Sequence, residues 1–124
     1  MPRVATGRRT ARQVDGGEAE DRAARFLADH GLVILHRNFR TRLGEVDLIA
    51  RDGGTLVFVE VRRRLSSARW GGAAGSVGPL KQRRLEAAAH MYLSRLSSEP
   101  PCRFDVIALE GDECTWVRDA FVIA

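Results

Sequence analysis

Hydrophobic and polar positions along this chain alternate between a helical period and a period of two. Ala19, Ala23, Phe26, Leu27 and His30 share one helical face. Asp15, with Glu18 three residues on, forms a capping box that predicts the helix start, and Gly31 predicts its stop. Leu32 to Phe39 follows as a strand that ends in the basic positions Arg37, Arg40 and Arg42. Gly44 to Arg64 then reads as two strands around Asp52-Gly53-Gly54, a strong hairpin signal. After a glycine-rich stretch from Leu65 to Gly78, Gly78-Pro79 opens a second helix with Pro79 at its first position. Leu85, Ala88, Tyr92 and Leu96 form its buried stripe, with Ala89 and Leu93 beside it. Phe104 to Leu109 is a fourth strand. Thr115 to Val122 is a fifth strand or a terminal extension, reached through Gly111-Asp112-Glu113.

The order α-β-β-β-α-β-β predicts an α/β fold with a mixed β-sheet flanked by helices. The link from the third strand through the second helix is long enough for a right-handed parallel crossover. At 124 residues the chain makes one domain, spanning 15–124, after a flexible basic arm, 1–14.

The hairpin carries the anomaly. Its second strand is nearly all Val, Leu and Phe, which suits burial on both faces, yet Glu45, Asp47 and Glu60 interrupt the apolar pattern. Charges there must be paired, liganded or partly wet. If Gly53-Gly54 is the loop, Asp47 faces Glu60 and Glu45 faces Arg62. If Asp52-Gly53 is the loop, Glu45 faces Glu60. Both registers put Glu45, Asp47, Glu60 and Arg62 on one sheet face by strand alternation. Facing carboxylates repel unless a cation lies between them, and hard oxygen donors suit Mg²⁺ or Mn²⁺. The four residues alone weigh evenly between such a metal site and a salt-bridged cluster.

Helical spacing adds two candidates. Glu20 lies at the edge of the first helix's buried face, where a solvated acid is the plainer reading. Lys81 lies four residues before Leu85 and so shares the sheet-facing stripe, while Arg83 and Arg84 turn outward. A lysine in the first turn opposes the helix dipole, which favours a task for it over decoration.

Composition changes the picture modestly. Net charge is +4, and 20 residues are Lys or Arg, of which Lys81 is the only lysine. Arginine forks onto phosphate, although biased codon usage explains much of the excess. Cys102 and Cys114 are too few for a disulfide scaffold or zinc site; reduced thiols in a cytoplasmic protein are the expectation. No membrane span or signal-peptide core is expected. Trp70, within the glycine-rich stretch, either stacks on a base or anchors that stretch to the core.

Gly-Glu-Val-Asp-Leu-Ile-Ala (44–50) and Phe-Val-Glu-Val-Arg (58–62) resemble the YraN-like bacterial proteins of the restriction-endonuclease-like superfamily. Gly17-Glu18-Ala19-Glu20, Gly31 with Arg37-Asn38, Gly71 to Lys81, and Arg103-Phe104-Asp105-Val106 extend the likeness over nearly everything after residue 14. The resemblance implies a restriction-endonuclease-like three-layer fold, similar to Holliday-junction resolvases, with a PD-(D/E)xK site. Asp47 and Glu60 match the motif acids, Arg62 the usual lysine, Glu20 the extra metal-side acid of resolvase-like members, and Glu45 the family's own GE[IV]D acid. Val46 replaces the motif proline. Arg62 cannot serve as a general base, and Lys81 is placed to supply the missing amine.

What this implies is a Mg²⁺- or Mn²⁺-dependent nuclease of a bacterial cytoplasm. Asp47, Glu60 and the Val61 carbonyl would hold the metal, with Glu20 or Glu45 completing the shell. Arg62 and Lys81 would flank the phosphate. Arg37, Arg40, Arg42, Arg63, Arg64, Arg69, Arg83 and Arg84 would track DNA without reading sequence, branched or single-stranded and with the protein as a monomer or homodimer. The alternatives are a nucleic-acid-binding protein without turnover and a scaffold whose acid cluster is neutralised by Arg62 and Lys81.

Overall fold

The computed structural model describes residues 11–63 and 77–122, with side chains from Gly17 onward. In chain order the elements are α1 (Ala11–Asp29), β1 (Val33–Arg40), β2 (Glu45–Asp52), β3 (Thr55–Arg63), α2 (Pro79–Leu93), β4 (Cys102–Glu110) and β5 (Glu113–Phe121). The strands form one sheet in the order β1-β2-β3-β4-β5. Only β3 and β4 pair in parallel, across the α2 crossover; the other neighbours are antiparallel.

Two apolar clusters, one on each sheet face, make three layers. Ala19, Ala23 and Leu27 of α1 pack on Leu48, Ala50, Val57, Val59, Ile107 and Leu109. Leu85, Ala88 and Ala89 of α2 pack on Val46, Ile49, Phe58, Phe104 and Val106. The β3 run Leu56 to Glu60 is buried throughout because it lies mid-sheet between both helices. Each apolar side chain of that run, Leu56 to Val59, contributes about 1.5–3 kcal/mol of hydrophobic stabilisation.

Some boundaries differ from the sequence expectation. α1 begins at Ala11, so Asp15 lies inside the helix and is no cap. Ala11, Arg12 and Gln13 favour helix, and no proline stops its backward growth. His30 is exposed rather than on the buried face, since the helix has ended before it. The Leu32 amide donates to the Leu27 carbonyl at 3.0 Å and the Gly31 amide to Ala28 at 3.0 Å. This is a Schellman stop, with Gly31 at φ +95°. α2 starts at Pro79 as expected but ends at Leu93, leaving Leu96 outside it and exposed. Both cysteines are free thiols. Residues 1–10 of the basic arm and the 64–76 stretch, with Arg64, Arg69 and Trp70, lie outside the described residues.

Candidate metal centre

The hairpin register settles which acids meet. Asp52 pairs with Thr55 and Leu48 with Val59, so Gly53-Gly54 is the loop. Extending that register puts Asp47 across from Glu60, where the ladder ends. There the Val61 amide donates not to a β2 carbonyl but to Asp47 Oδ2, at 2.8 Å. The strands part at this point and the carboxylates fill the opening.

Strict alternation fails at the same place. Val46 packs in the α2-side cluster but Leu48 in the α1-side cluster. On the neighbouring strand Asn38 has φ +55°, the left-handed conformation that asparagine tolerates better than most residues. This local twist turns Phe39 into the α2-side cluster while Arg37 reaches Asp21 of α1. The break lies on β2, so simple alternation does not carry Glu45 onto the Asp47 face there, whereas β3 stays regular through Glu60 and Arg62, which pair with Val106 and Ala108 of the α2-side cluster.

Asp47, Glu60, Val61, Glu20, Ala19, Arg63 and Lys81 line a cavity of about 280 Å³ at the open end of the hairpin. Lys81 Nζ lies 3.2 Å from Glu60 Oε2, which answers the dipole penalty of a lysine in the first turn of α2. Glu20 Oε1 accepts from Asn38 Nδ2 at 2.9 Å and lies 3.9 Å from Arg37 Nη2. Asn38 thus holds Glu20 toward the pair. Sequence reasoning gave it no role, although it lies in the Arg37-Asn38 stretch that carried the resemblance.

Electrostatics show what the site lacks. Burial first, then the Asp47 charge, pushes the Glu60 carboxyl up to about 7, despite Lys81. Burial also raises Asp47 against the pull of the Val61 amide, and burial followed by Asp47 raises Glu20. Asp47 and Glu60 are within hydrogen-bonding reach of each other, so they titrate as a pair. One half-exposed ammonium does not compensate the acids gathered there. Among the described residues no three His, Cys, Asp or Glu side chains converge with metal-ligand spacing. An all-side-chain cage is therefore absent from these residues, whereas a carboxylate pair with a backbone oxygen and waters is the kind of donor set Mg²⁺ accepts.

The remaining candidates disperse. Glu45 pairs with Arg40 at 3.2 Å and lines a neighbouring cavity, although its charge still helps raise Asp47. Arg62 continues along β3 opposite Ala108, lines neither cavity, and makes no ion pair or hydrogen bond among the described residues. Arg63 lies 3.9 Å from Glu18, and Arg37 is engaged by Asp21. Arg84 lines the cavity that Glu45 shares, while Arg42 and Arg83 are exposed.

A second buried carboxylate, Asp105 of β4, interrupts the apolar strand Phe104 to Leu109 and was given no role from the sequence. It is fully buried. It accepts from Arg103 Nε at 3.0 Å and Nη2 at 3.1 Å, from Trp116 Nε1 at 2.9 Å and from the Asp119 amide at 2.9 Å. Arg103 Nη1 also reaches Asp52 at 3.0 Å, tying the hairpin turn to β4 and β5. The signal was available, because a lone charge in an apolar run is what singled out Asp47 and Glu60.

No helix among the described residues is long and apolar enough to cross a membrane. Residues 19–109 match the sequence profile described as "Uncharacterised protein family UPF0102". A UPF0102 protein of Herminiimonas arsenicoxydans is 53% identical over 112 residues, covering 90% of each chain. One of Ralstonia nicotianae is 56% identical over 110 residues, 86% of this chain and 85% of the relative. One of Burkholderia thailandensis is 50% identical over 112 residues, 90% of this chain and 77% of the relative.

Proposed function

This chain belongs to the UPF0102 family, and we propose that it is a metal-dependent nuclease acting on DNA phosphodiester bonds, selective for structure or indifferent to sequence. The observation that carries the reading is the Asp47–Glu60 pair, held at the parted end of the hairpin with the Lys81 amine on Glu60. Carboxyls raised by burial and by each other are short of positive charge, and a divalent cation is the partner that answers both. Asp47 and Glu60 would hold Mg²⁺ or Mn²⁺. The Val61 carbonyl lies on the same strand edge as its amide, which already points at Asp47, and Glu20 waits on Asn38. When bound, the ion supplies charge that polarises a phosphate and acidifies a water.

The chain's own groups do the rest. Lys81 is free to leave Glu60 for a phosphate oxygen once the acid pair is neutralised, placing a fixed positive charge where negative charge develops. Arg63, on the wall of the same cavity, flanks the entering backbone. Arginine is no general base, so Arg62 is not the group that takes a proton from water.

A second reading, a nucleic-acid-binding protein of the same fold without turnover, is favoured by the position of Arg62 outside the cavity and by the lack of a third converging side-chain ligand among the described residues. One experiment separates them. Pure protein is incubated with branched and single-stranded DNA, with Mg²⁺, Mn²⁺ or chelator, alongside Asp47→Ala and Glu60→Ala. Cleavage that needs metal and disappears in both variants supports the nuclease. Binding without cleavage, unchanged in both variants, favours the second reading, and no binding at low salt removes both.

A further inference from the structure

Beside the acid cavity lies a second one of about 310 Å³, lined by Arg40, Thr41, Gly44, Glu45, Lys81, Arg84 and Leu85. Lys81 lines both cavities and so is common to their walls. Their charge balance differs. The first sets Glu20, Asp47 and Glu60 against Arg63 and Lys81; the second sets Arg40, Lys81 and Arg84 against the lone acid Glu45.

The second cavity is built, not merely left over. Thr41 Oγ1 accepts from the Leu43 and Gly44 amides, both at 3.1 Å, and the Thr41 amide donates to the Gly44 carbonyl at 2.8 Å. This closes the turn between β1 and β2 and fixes Arg40 and Glu45 on its two flanks. The turn is also pressed against α2, since a Cβ at Gly44 would lie 2.0 Å from the Arg84 carbonyl oxygen. Only glycine permits that approach, and it sets the Arg84 backbone against the turn, with Arg40 and Arg84 lining the same cavity. In this rigid frame Glu45 meets Arg40 at 3.2 Å, although both side chains are more than half exposed. An exposed ion pair of this kind is weak and readily exchanged.

We propose that this cavity is a phosphate subsite, and that it takes the phosphate next along the strand from the one at the Asp47–Glu60 pair. Glu45 occupies Arg40 until the phosphate displaces it. The inference rests on the proposed nucleic-acid substrate and deepens it, giving Glu45 a carboxylate-placeholder role in place of metal ligation.

The test is a binding measurement on the full chain in chelator, so that it does not depend on cleavage. A fluorescent single-stranded DNA oligonucleotide is titrated over a salt series. Joint Arg40→Ala and Arg84→Ala substitution is expected to weaken binding on the order of tenfold at low salt. It is also expected to flatten the log–log salt slope by about 0.7, the value of one single-strand phosphate contact. Arg51→Ala, at the opposite end of β2, is expected to leave the slope unchanged. Glu45→Gln is expected to tighten binding about two- to fivefold, and only while Arg40 is present. Equal tightening in an Arg40→Ala background means a general charge effect and overturns the placeholder. An unchanged slope in the double arginine variant overturns the subsite while leaving the nuclease reading intact. Failure of the wild-type protein to bind at all overturns that reading and this inference together.

Discussion

Asp105 and Glu60 are both buried acids on central strands of one sheet, and β3 and β4 are direct neighbours. Their surroundings differ in one respect. Asp105 is saturated by a guanidinium fork, an indole N–H and a backbone amide. Glu60 meets one half-exposed lysine and another carboxyl; burial first, then the Asp47 charge, pushes its pKa up to about 7, and the lysine offsets them only in part. Burial alone therefore does not mark a functional acid. What marks it is a charge that the fold leaves incompletely answered, with space beside it.

The largest effect that tests this contrast is expected at Asp105. Asp105→Ala leaves the Arg103, Trp116 and Asp119 donors without their acceptor, and a loss of about 3–5 kcal/mol is expected in urea unfolding. A loss below about 1 kcal/mol would mean that the network is not a structural tie.

The acid pair is expected to show the opposite sign. Because the folded protein holds Glu60 near 7 against 4.5 for the ordinary group, it binds protons more tightly than the unfolded chain does between those values. Stability in chelator should then fall as pH rises from about 4.5 to 7, by up to about 3 kcal/mol, and level off above that. Glu60→Gln is expected to flatten that fall and to raise the melting temperature at pH 8. A wild-type profile that is flat or rises across this window refutes the unanswered charge.

A divalent ion offers a third and smaller test. At a hundred times its dissociation constant, Mg²⁺ or Mn²⁺ should stabilise the protein at pH 8 by about 2.7 kcal/mol. The gain should vanish when Asp47→Asn and Glu60→Gln are combined. A gain of equal size in that variant would place the ion elsewhere.

The smallest effect is expected at Asn38. Asn38→Gly keeps the positive φ but releases Glu20, so stability should shift by less than about 1 kcal/mol. Metal affinity should nevertheless weaken severalfold by calorimetric titration. Unchanged affinity would leave Glu20 outside the site.

The parts of this arrangement that were legible in the sequence are the local ones. Asp52-Gly53-Gly54 limits the hairpin to two registers, both with the acids at its open end, and Pro79 starts α2 so that Lys81 faces the sheet. What stayed illegible depends on partners distant in the chain or on departures from ideal geometry. Alternation carries Glu45 onto the Asp47 face only if the strand is regular, and the twist at Asn38 and Asp47 breaks that rule. Asp105 draws donors from β5, whose register shifts between Phe104 and Val106, and no local pattern announces such a shift. The early start of α1 was missed because a capping box at Asp15 satisfies a local rule that the longer helix makes unnecessary.

The lysine on Glu60 comes from the crossover helix α2, whereas both acids come from one hairpin. A hairpin closes in microseconds from neighbouring residues, but α2 must be synthesised and docked before Lys81 arrives. During synthesis the acids therefore emerge first, as a repelling pair without their ammonium. The site becomes complete only when the second layer has settled on the sheet, so a half-made chain carries the acids without the finished centre.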